Sequence, residues 1–285
     1  PDIALQNFPT RAVTSSEWDG SEMCWRHKPS HYAAIHFHED DIYDFEWETS
    51  LTFKIPPKMS SGVYVMRIEC DGNQDAMPFY VCPPLGKRSA KLCVLIPTFT
   101  YAVYGNHARP DYDISWQQRI KDWSAYPYNP AEYPHYGLST YNCHPDGSGI
   151  CHASHRRPLL NLRPGYITFG DTPCSGLRHF QADSHLISWL HAKNIEYDVI
   201  TDTELQHDGL KAIEGYKAVV TATHPEYHTE QTLNALRDYR DNGGVLHYLG
   251  GNGFYWRVAR HVENDSLLEI RRAEGGIRAW EAEPG

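Results

Sequence analysis

Residues 222–228, Ala222-Thr223-His224-Pro225-Glu226-Tyr227-His228, place an imidazole and a carboxylate two positions apart. That pairing suits metal ligation or acid–base work. Pro225 lacks an N–H and disfavours the helical region for His224, so the segment is expected to be extended. Residues two apart in an extended chain project the same way. His224 and Glu226 are therefore expected to leave the tip of an apolar strand, residues 216–223, side by side. The competing reading is a surface loop with a charged residue and a packed histidine.

Other reactive side chains are less well arranged. His36, His38, Glu39, Asp40 and Asp41 form a dense ionisable cluster. His36 and His38 share a strand face, as a metal site would need, but the continuing charge run favours a solvated acidic turn. The spacing of His144, His152 and His155 matches no zinc motif well. No G-x-S-x-G or G-x-C-x-G elbow follows a strand, which disfavours covalent catalysis. Cys143 and Cys151, which flank Gly147-Ser148-Gly149, read as small buried hydrophobes. The seven cysteines are odd in number and include no C-x-x-C. Neither a disulfide framework nor a zinc ribbon is indicated, and a reducing cytoplasm is the simpler home.

Composition sets the outer bounds. A chain of 285 residues, 41% of them hydrophobic, allows one large soluble domain or two ordinary ones. No apolar run approaches the roughly 20 residues that span a bilayer, and no signal-peptide pattern opens the chain. The formal charge of −10 argues against a nucleic-acid or anionic-membrane partner. The chain begins at Pro1 and stops at Pro284-Gly285 after a charged run. It is expected to be a piece of something longer, so missing targeting signals carry little weight.

Two regions must position these groups. Residues 1–87 read as β: short runs such as 32–38, 51–55, 63–68 and 78–81 are separated by turn signals, which suggests an incomplete sandwich-like unit. Pro83 to Ser89 is the linker. From residue 88 onward the pattern is that of an α/β domain. Residues 92–96 form a continuous apolar run, as expected for a strand covered on both faces. A long stretch follows, 98–163, rich in Tyr, Pro, His, Asn and Gly, with helical character expected over 115–123; irregular loops of that length are usually functional. Beyond it, helices over 184–193, 208–214 and 229–242 alternate with strands over 197–200, 216–221 and 245–249. Strands separated by single helices imply an open, mainly parallel sheet of the flavodoxin-like or class I glutamine-amidotransferase-like kind. In such sheets ligands bind beyond the carboxyl ends of the strands. Residues 97–106, 224–226 and 250–256 leave those ends.

Several stretches together resemble one family. They are Ala33-Ala34-Ile35-His36-Phe37-His38 with Asp40-Asp41, Tyr104-Gly105-Asn106, Tyr136-Gly137-Leu138-Ser139-Thr140-Tyr141, Asp146-Gly147-Ser148-Gly149, Arg157-Pro158, Arg163-Pro164-Gly165, His224-Pro225-Glu226-Tyr227 and Gly250-Gly251-Asn252-Gly253-Phe254-Tyr255-Trp256. This set is similar to the large (beta) subunit of N,N-dimethylformamidase over essentially the whole chain. The pairing of H-P-E-Y with G-G-N-G-F-Y-W carries most of the specificity. The resemblance implies an internal fragment, lacking an N-terminal lectin-like domain and a C-terminal portion. It also implies a small subunit, homo-oligomerisation, and hydrolysis of small formamides at a mononuclear iron held by two tyrosines and a glutamate. Position by position, the glutamate falls on Glu226 and one tyrosine on Tyr104. The second falls on Tyr141, with Tyr136 as the alternate. His224 becomes the acid–base residue, and Asn252 lines the substrate pocket.

The implied chemistry is coherent. Phenolates and a carboxylate are hard anionic donors that suit trivalent iron, and an ion so held can polarise an amide oxygen and activate water. The expected function is cleavage of the C–N bond of formamides such as N,N-dimethylformamide. The alternatives are a same-fold hydrolase of another small amide and a non-enzymatic ligand-binding module.

Overall fold

The computed structural model describes residues 11–21, 27–36, 42–107, 118, 121–122, 130–144, 150–168, 177–254 and 256–270. The strands are β1 (Arg11–Thr14), β2 (Tyr32–His36), β3 (Gly62–Cys70), β4 (Asn73–Val81), β5 (Leu92–Ile96), β6 (His152–Ser154), β7 (Tyr197–Thr201), β8 (Ala218–Thr221), β9 (Tyr227–His228), β10 (Val245–His247), β11 (Trp256–Arg257), β12 (Ala259–Arg260) and β13 (Leu267–Glu269). The α-helices are α1 (Thr98–Val103), α2 (Phe180–Ala192), α3 (Asp202–Asp208), α4 (Leu210–Ile213) and α5 (Glu230–Asp241).

Four strands build the central sheet, in the order β10-β8-β5-β7. All three pairings are parallel. β5 is an inner strand, and its alternate residues feed opposite cores, as a period of two requires. Cys93 and Leu95 pack with Leu205, Ile213, Val219, Leu236 and Tyr239 under the helices α3 to α5. Val94 and Ile96 pack with Tyr101, Phe180, Leu190 and Val199 on the other face. Both faces are covered, so the strand reads as an unbroken apolar run.

The helices carry the end signals that their sequences allow. Thr201 caps α3 in a capping box with Glu204. Thr229 caps α5 by accepting from the Thr232 N–H. The helix expected over 208–214 is the short α4; an unexpected helix, α3, precedes it, and the two are broken at Gly209, whose φ is +56°. Among the described residues no helix is long and apolar enough to cross a membrane.

Residues before the linker contain two separate antiparallel pairs, β1–β2 and β3–β4. The β3–β4 hairpin turns at Asp71-Gly72 and lies against the central sheet. Val63 and Tyr80 join the apolar cluster around Ile96 and Phe180, and the Val199 N–H donates to Ser61 Oγ at 2.7 Å. The strand expected over 51–55 does not form. Leu51, Phe53 and Ile55 all stay exposed, Phe53 meeting Phe79 edge-on at 6.3 Å, so their alternation covers no core, and Pro56-Pro57 ends the segment without donors. The helix expected over 115–123 falls mostly outside the described residues.

A third apolar cluster lies beyond the carboxyl ends of the strands. It joins α1 to Tyr227, Ala153, Val258, Leu268 and Ile270, and every residue of α1 is buried. Asp202, at the start of α3, holds the head of α1 by accepting from the Phe99 N–H at 2.9 Å. Burial lifts its carboxyl from 3.8 to about 8; the Phe99 bond opposes the shift and the Glu204 charge adds to it. A carboxyl whose folded pKa lies above its unfolded value stabilises fully below the unfolded pKa, and that contribution is lost as pH rises through the folded one. Asp202→Asn is uncharged at every pH. Thermal melts should therefore show the variant gaining on the wild type steadily between pH 4 and about 8; a pH-independent difference would contradict the buried, protonated carboxyl.

Candidate functional site

α1 leads directly from β5 to Tyr104, which caps the helix C-terminus and is buried. Asn106, two residues on, is also buried and adopts φ +59°, a conformation that asparagine tolerates better than most residues. Its Nδ2 donates to the carbonyls of Gly137 at 3.0 Å and Pro158 at 2.7 Å, and its Oδ1 accepts from the Leu160 N–H at 2.8 Å. The buried Arg157 guanidinium adds bonds to the carbonyls of Leu138 at 2.8 Å and Gly105 at 3.4 Å. Three loops far apart in sequence are thus tied to one another around Tyr104.

That tie delivers the second tyrosine. Ser139 Oγ and Thr140 Oγ1 both donate to the Val103 carbonyl, at 2.8 and 3.2 Å. The next residue, Tyr141, then stacks on Tyr104 with ring centroids 4.3 Å apart and planes 13° apart. The L-S-T-Y stretch therefore works as a bracket for its last residue. Tyr136 goes elsewhere: it packs on Tyr133 and Phe45 and lines a separate cavity of about 590 Å³ with Trp47 and Arg163.

The third segment leaves β8. Asp183 of α2 accepts from both the Thr223 N–H and its hydroxyl, at 2.7 and 2.6 Å, so the chain enters the site at a fixed point. Between His224 and Glu226 it is not extended. The Glu226 N–H donates to the His224 carbonyl at 2.9 Å, a three-residue turn about Pro225, whose locked φ suits it. The turn, rather than strand alternation, brings the two side chains together. His228 Nε2–H donates to the Pro225 carbonyl at 3.0 Å, and its ring stacks on Phe254 at 5.0 Å. The Phe254 N–H reaches the same carbonyl at 2.8 Å. β9 and β11 pair in parallel just beyond, which lays residues 250–254 over Glu226. Gly251 is obligatory in that loop: its φ is +67°, and a Cβ would stand 2.2 Å from the Thr223 oxygen and 2.6 Å from His224 Nδ1.

The result is a compact group of oxygens. Tyr104 Oη donates to Glu226 Oε2 at 2.8 Å. Tyr141 Oη lies 2.7 Å from Tyr104 Oη and 2.5 Å from Tyr227 Oη. His224 Nε2 is 3.1 Å from Glu226 Oε2, and Asn252 Nδ2 donates to Glu226 Oε1 at 3.2 Å. Glu226 and Tyr104 are 1% and 5% exposed but Tyr141 is 37% exposed, so the group opens to solvent on the Tyr141 side. Burial alone would raise the Glu226 carboxyl, but hydrogen bonds from His224 and Tyr104, with the His224 charge and Asn252, hold it below its usual range. Burial, then Tyr141 and Glu226, push the Tyr104 phenol far above its usual range.

Such a group fits a small hard cation. Oxygens sharing one ion at roughly 2.0–2.2 Å stand about 3 Å apart along an edge of its coordination shell, and the spacings here are 2.7 and 2.8 Å. Phenol and carboxylate oxygens are the hard donors such an ion prefers. Among the described residues no cluster of three His, Cys, Asp or Glu side chains is placed to hold a metal. The side chain of His36 and all of residues 37–41 lie outside the described residues. His152 packs edge-on against Tyr43. His155 is kept neutral, with a pKa of about 4, first by burial and then by the Arg157 charge.

Sequence reasoning missed three neighbours. Tyr227 follows Glu226 in the motif, but one tyrosine among 19 carries no signal of its own. Arg178 and His179 gave no signal, because nothing periodic surrounds them. The His179 ring lies 4.4 Å from Tyr104 and 5.3 Å from His224. Its φ of 53° and ψ of −123° are strained for a residue with a side chain, at a cost of about 1–3 kcal/mol.

The tie at Asn106 can be tested on stability alone. Asn106→Ala leaves buried carbonyls and the Leu160 N–H without their partner and puts alanine at positive φ. It should cost about 3 kcal/mol of unfolding free energy, read from urea titration. A loss under about 1 kcal/mol would show that these loops are held some other way.

Comparison with known proteins gives the site a family. Residues 10–285 match the profile described as N,N-dimethylformamidase beta subunit-like, C-terminal. The chain is 38% identical over 287 residues to the N,N-dimethylformamidase beta subunit of Paracoccus aminophilus and 37% identical to that of Alcaligenes sp. Each alignment covers 98% of this chain and 36% of the relative, so the chain spans about a third of their length. The chain belongs to the N,N-dimethylformamidase beta subunit-like family.

Proposed function

We propose that this chain carries the catalytic centre of an iron-dependent amidohydrolase that cleaves the C–N bond of small N-substituted formamides. Two relatives bear the name N,N-dimethylformamidase beta subunit, which supports that substrate class and the presence of a second kind of subunit, with homo-oligomers and a cytoplasmic home as parts of the same reading. The observation that carries it is the contact of Tyr104, Tyr141 and Glu226 oxygens, at 2.7 and 2.8 Å, from three distant parts of the chain. The four-stranded parallel sheet beneath it is, in this reading, an open flavodoxin-like or glutamine-amidotransferase-like scaffold.

Tyr104, Tyr141 and Glu226 would hold one Fe(III), their three negative charges matching it. When bound, the ion supplies Lewis acidity toward an amide oxygen and toward water. His224 does the proton work. Its Nε2 lies 3.1 Å from Glu226 Oε2, and its ring occupies space that a side chain at residue 251 would invade. It takes a proton from the attacking water as the new C–O bond forms. It returns that proton to the amine nitrogen as the C–N bond breaks, giving formate and the amine. Asn252 lines the substrate pocket and holds Glu226 Oε1, leaving Oε2 on the Tyr104 side. Tyr227 donates to or accepts from Tyr141 Oη and fixes that ring from behind. The open side at Tyr141 admits substrate.

Two variants separate ligand from base. Glu226→Ala should lose both iron and turnover. His224→Ala should retain iron and the phenolate-to-iron colour, with turnover down on the order of a hundredfold. Iron content and rate decide it: iron lost with His224, or full activity without it, would overturn the assignment.

A further inference from the structure

The Tyr104 ring is held on more than its oxygen. Tyr141 stacks on it, the His179 ring lies 4.4 Å away tilted by 38°, and the Arg178 guanidinium carbon stands 4.5 Å from its centroid. Arg178 and His179 are consecutive and immediately precede α2. Neighbouring side chains on an extended segment point apart; the positive φ at His179 turns the backbone so that both reach one ring. His179 is 5% exposed, and among the described residues its buried Nε2 has no hydrogen-bond partner. The His179 carbonyl accepts from the Asp183 N–H at 2.8 Å at the start of α2, while its ring packs against Tyr104 and His224.

We propose that Arg178 and His179 form a positioning clamp on Tyr104, in which His179 fixes the ring and the Arg178 charge weakens its donation to the metal. This inference rests on the iron reading above. Arginine is charged at any working pH, and a cation near an aromatic ring is attracted to its electrons. Electron density that the cation holds on the ring is density the phenolate gives less readily to iron. The iron is then a stronger Lewis acid than two unrestrained phenolates would leave it. Moving an electron from ring to iron also takes more energy while the cation is present.

The test is the visible spectrum of the iron-loaded protein, which loss of packing alone does not shift in a set direction. Arg178→Met keeps the side chain's bulk and removes its charge, while Arg178→Lys keeps the charge. The phenolate-to-iron band should move to longer wavelength in Arg178→Met, on the order of tens of nanometres, and stay near the wild-type position in Arg178→Lys. His179→Ala keeps Arg178 and should lower iron occupancy at limiting metal. A band in Arg178→Met that coincides with those of wild type and Arg178→Lys, at equal iron content, would overturn the clamp. A wild-type protein without iron or without such a band would instead overturn the iron reading itself.

Discussion

Three acidic oxygens cannot share so small a space as anions. Tyr104 Oη lies 2.8 Å from a Glu226 oxygen and 2.7 Å from Tyr141 Oη, in surroundings that exclude water from two of the three residues. Charges at that separation repel strongly where the dielectric is low. The cluster is compatible with protons on the phenols or with one cation that takes their place. The direction of the Tyr104 shift expresses this: burial and its acidic neighbours hold the proton on until something positive arrives. Coordination of the proposed ion would therefore exchange protons for metal.

The rest of the local structure resists that repulsion by fixing backbones, and it does so with side chains that have no part in chemistry. Asn106 and Arg157 collect the carbonyls of three loops. Thr100 Oγ1 accepts from the Glu226 N–H at 3.2 Å, which ties α1 to the Pro225 turn. Asp183 holds the chain just before His224 and His228 holds it just after Pro225. Burial keeps His228 neutral, with a pKa of about 4, against the opposing pull of the Pro225 bond. The sheet supplies the platform; these polar anchors fix the backbones that carry the site.

Much of this was legible in the amino-acid order, for reasons that differ by element. β7, β8 and α5 lie where strand and helix periodicity placed them, because each buries one regular face. Glu226, His224 and Asn252 were legible as motif residues at strand ends. Tyr104 and Tyr141 were legible only through family resemblance, since one tyrosine among 19 carries no signal by itself. The turn at Pro225 was not legible: proline limits two residues to a region in which strand and tight turn both fit. The fate of 51–55 was not legible either, because alternation states which face is apolar and not whether a partner exists. Arg178 and His179 are invisible to patterns because their place depends on one backbone angle.

The proposed iron would sit between Tyr104, Tyr141 and Glu226. Diffraction data collected at the iron absorption edge, on crystals of the iron-loaded protein, test it most directly. The account predicts a single anomalous peak within bonding distance of Tyr104 Oη, Tyr141 Oη and Glu226, with the His224 ring beside it and not bound. A peak ligated by His224, a peak among the histidines at 144–155, or no peak between the two tyrosines would contradict it.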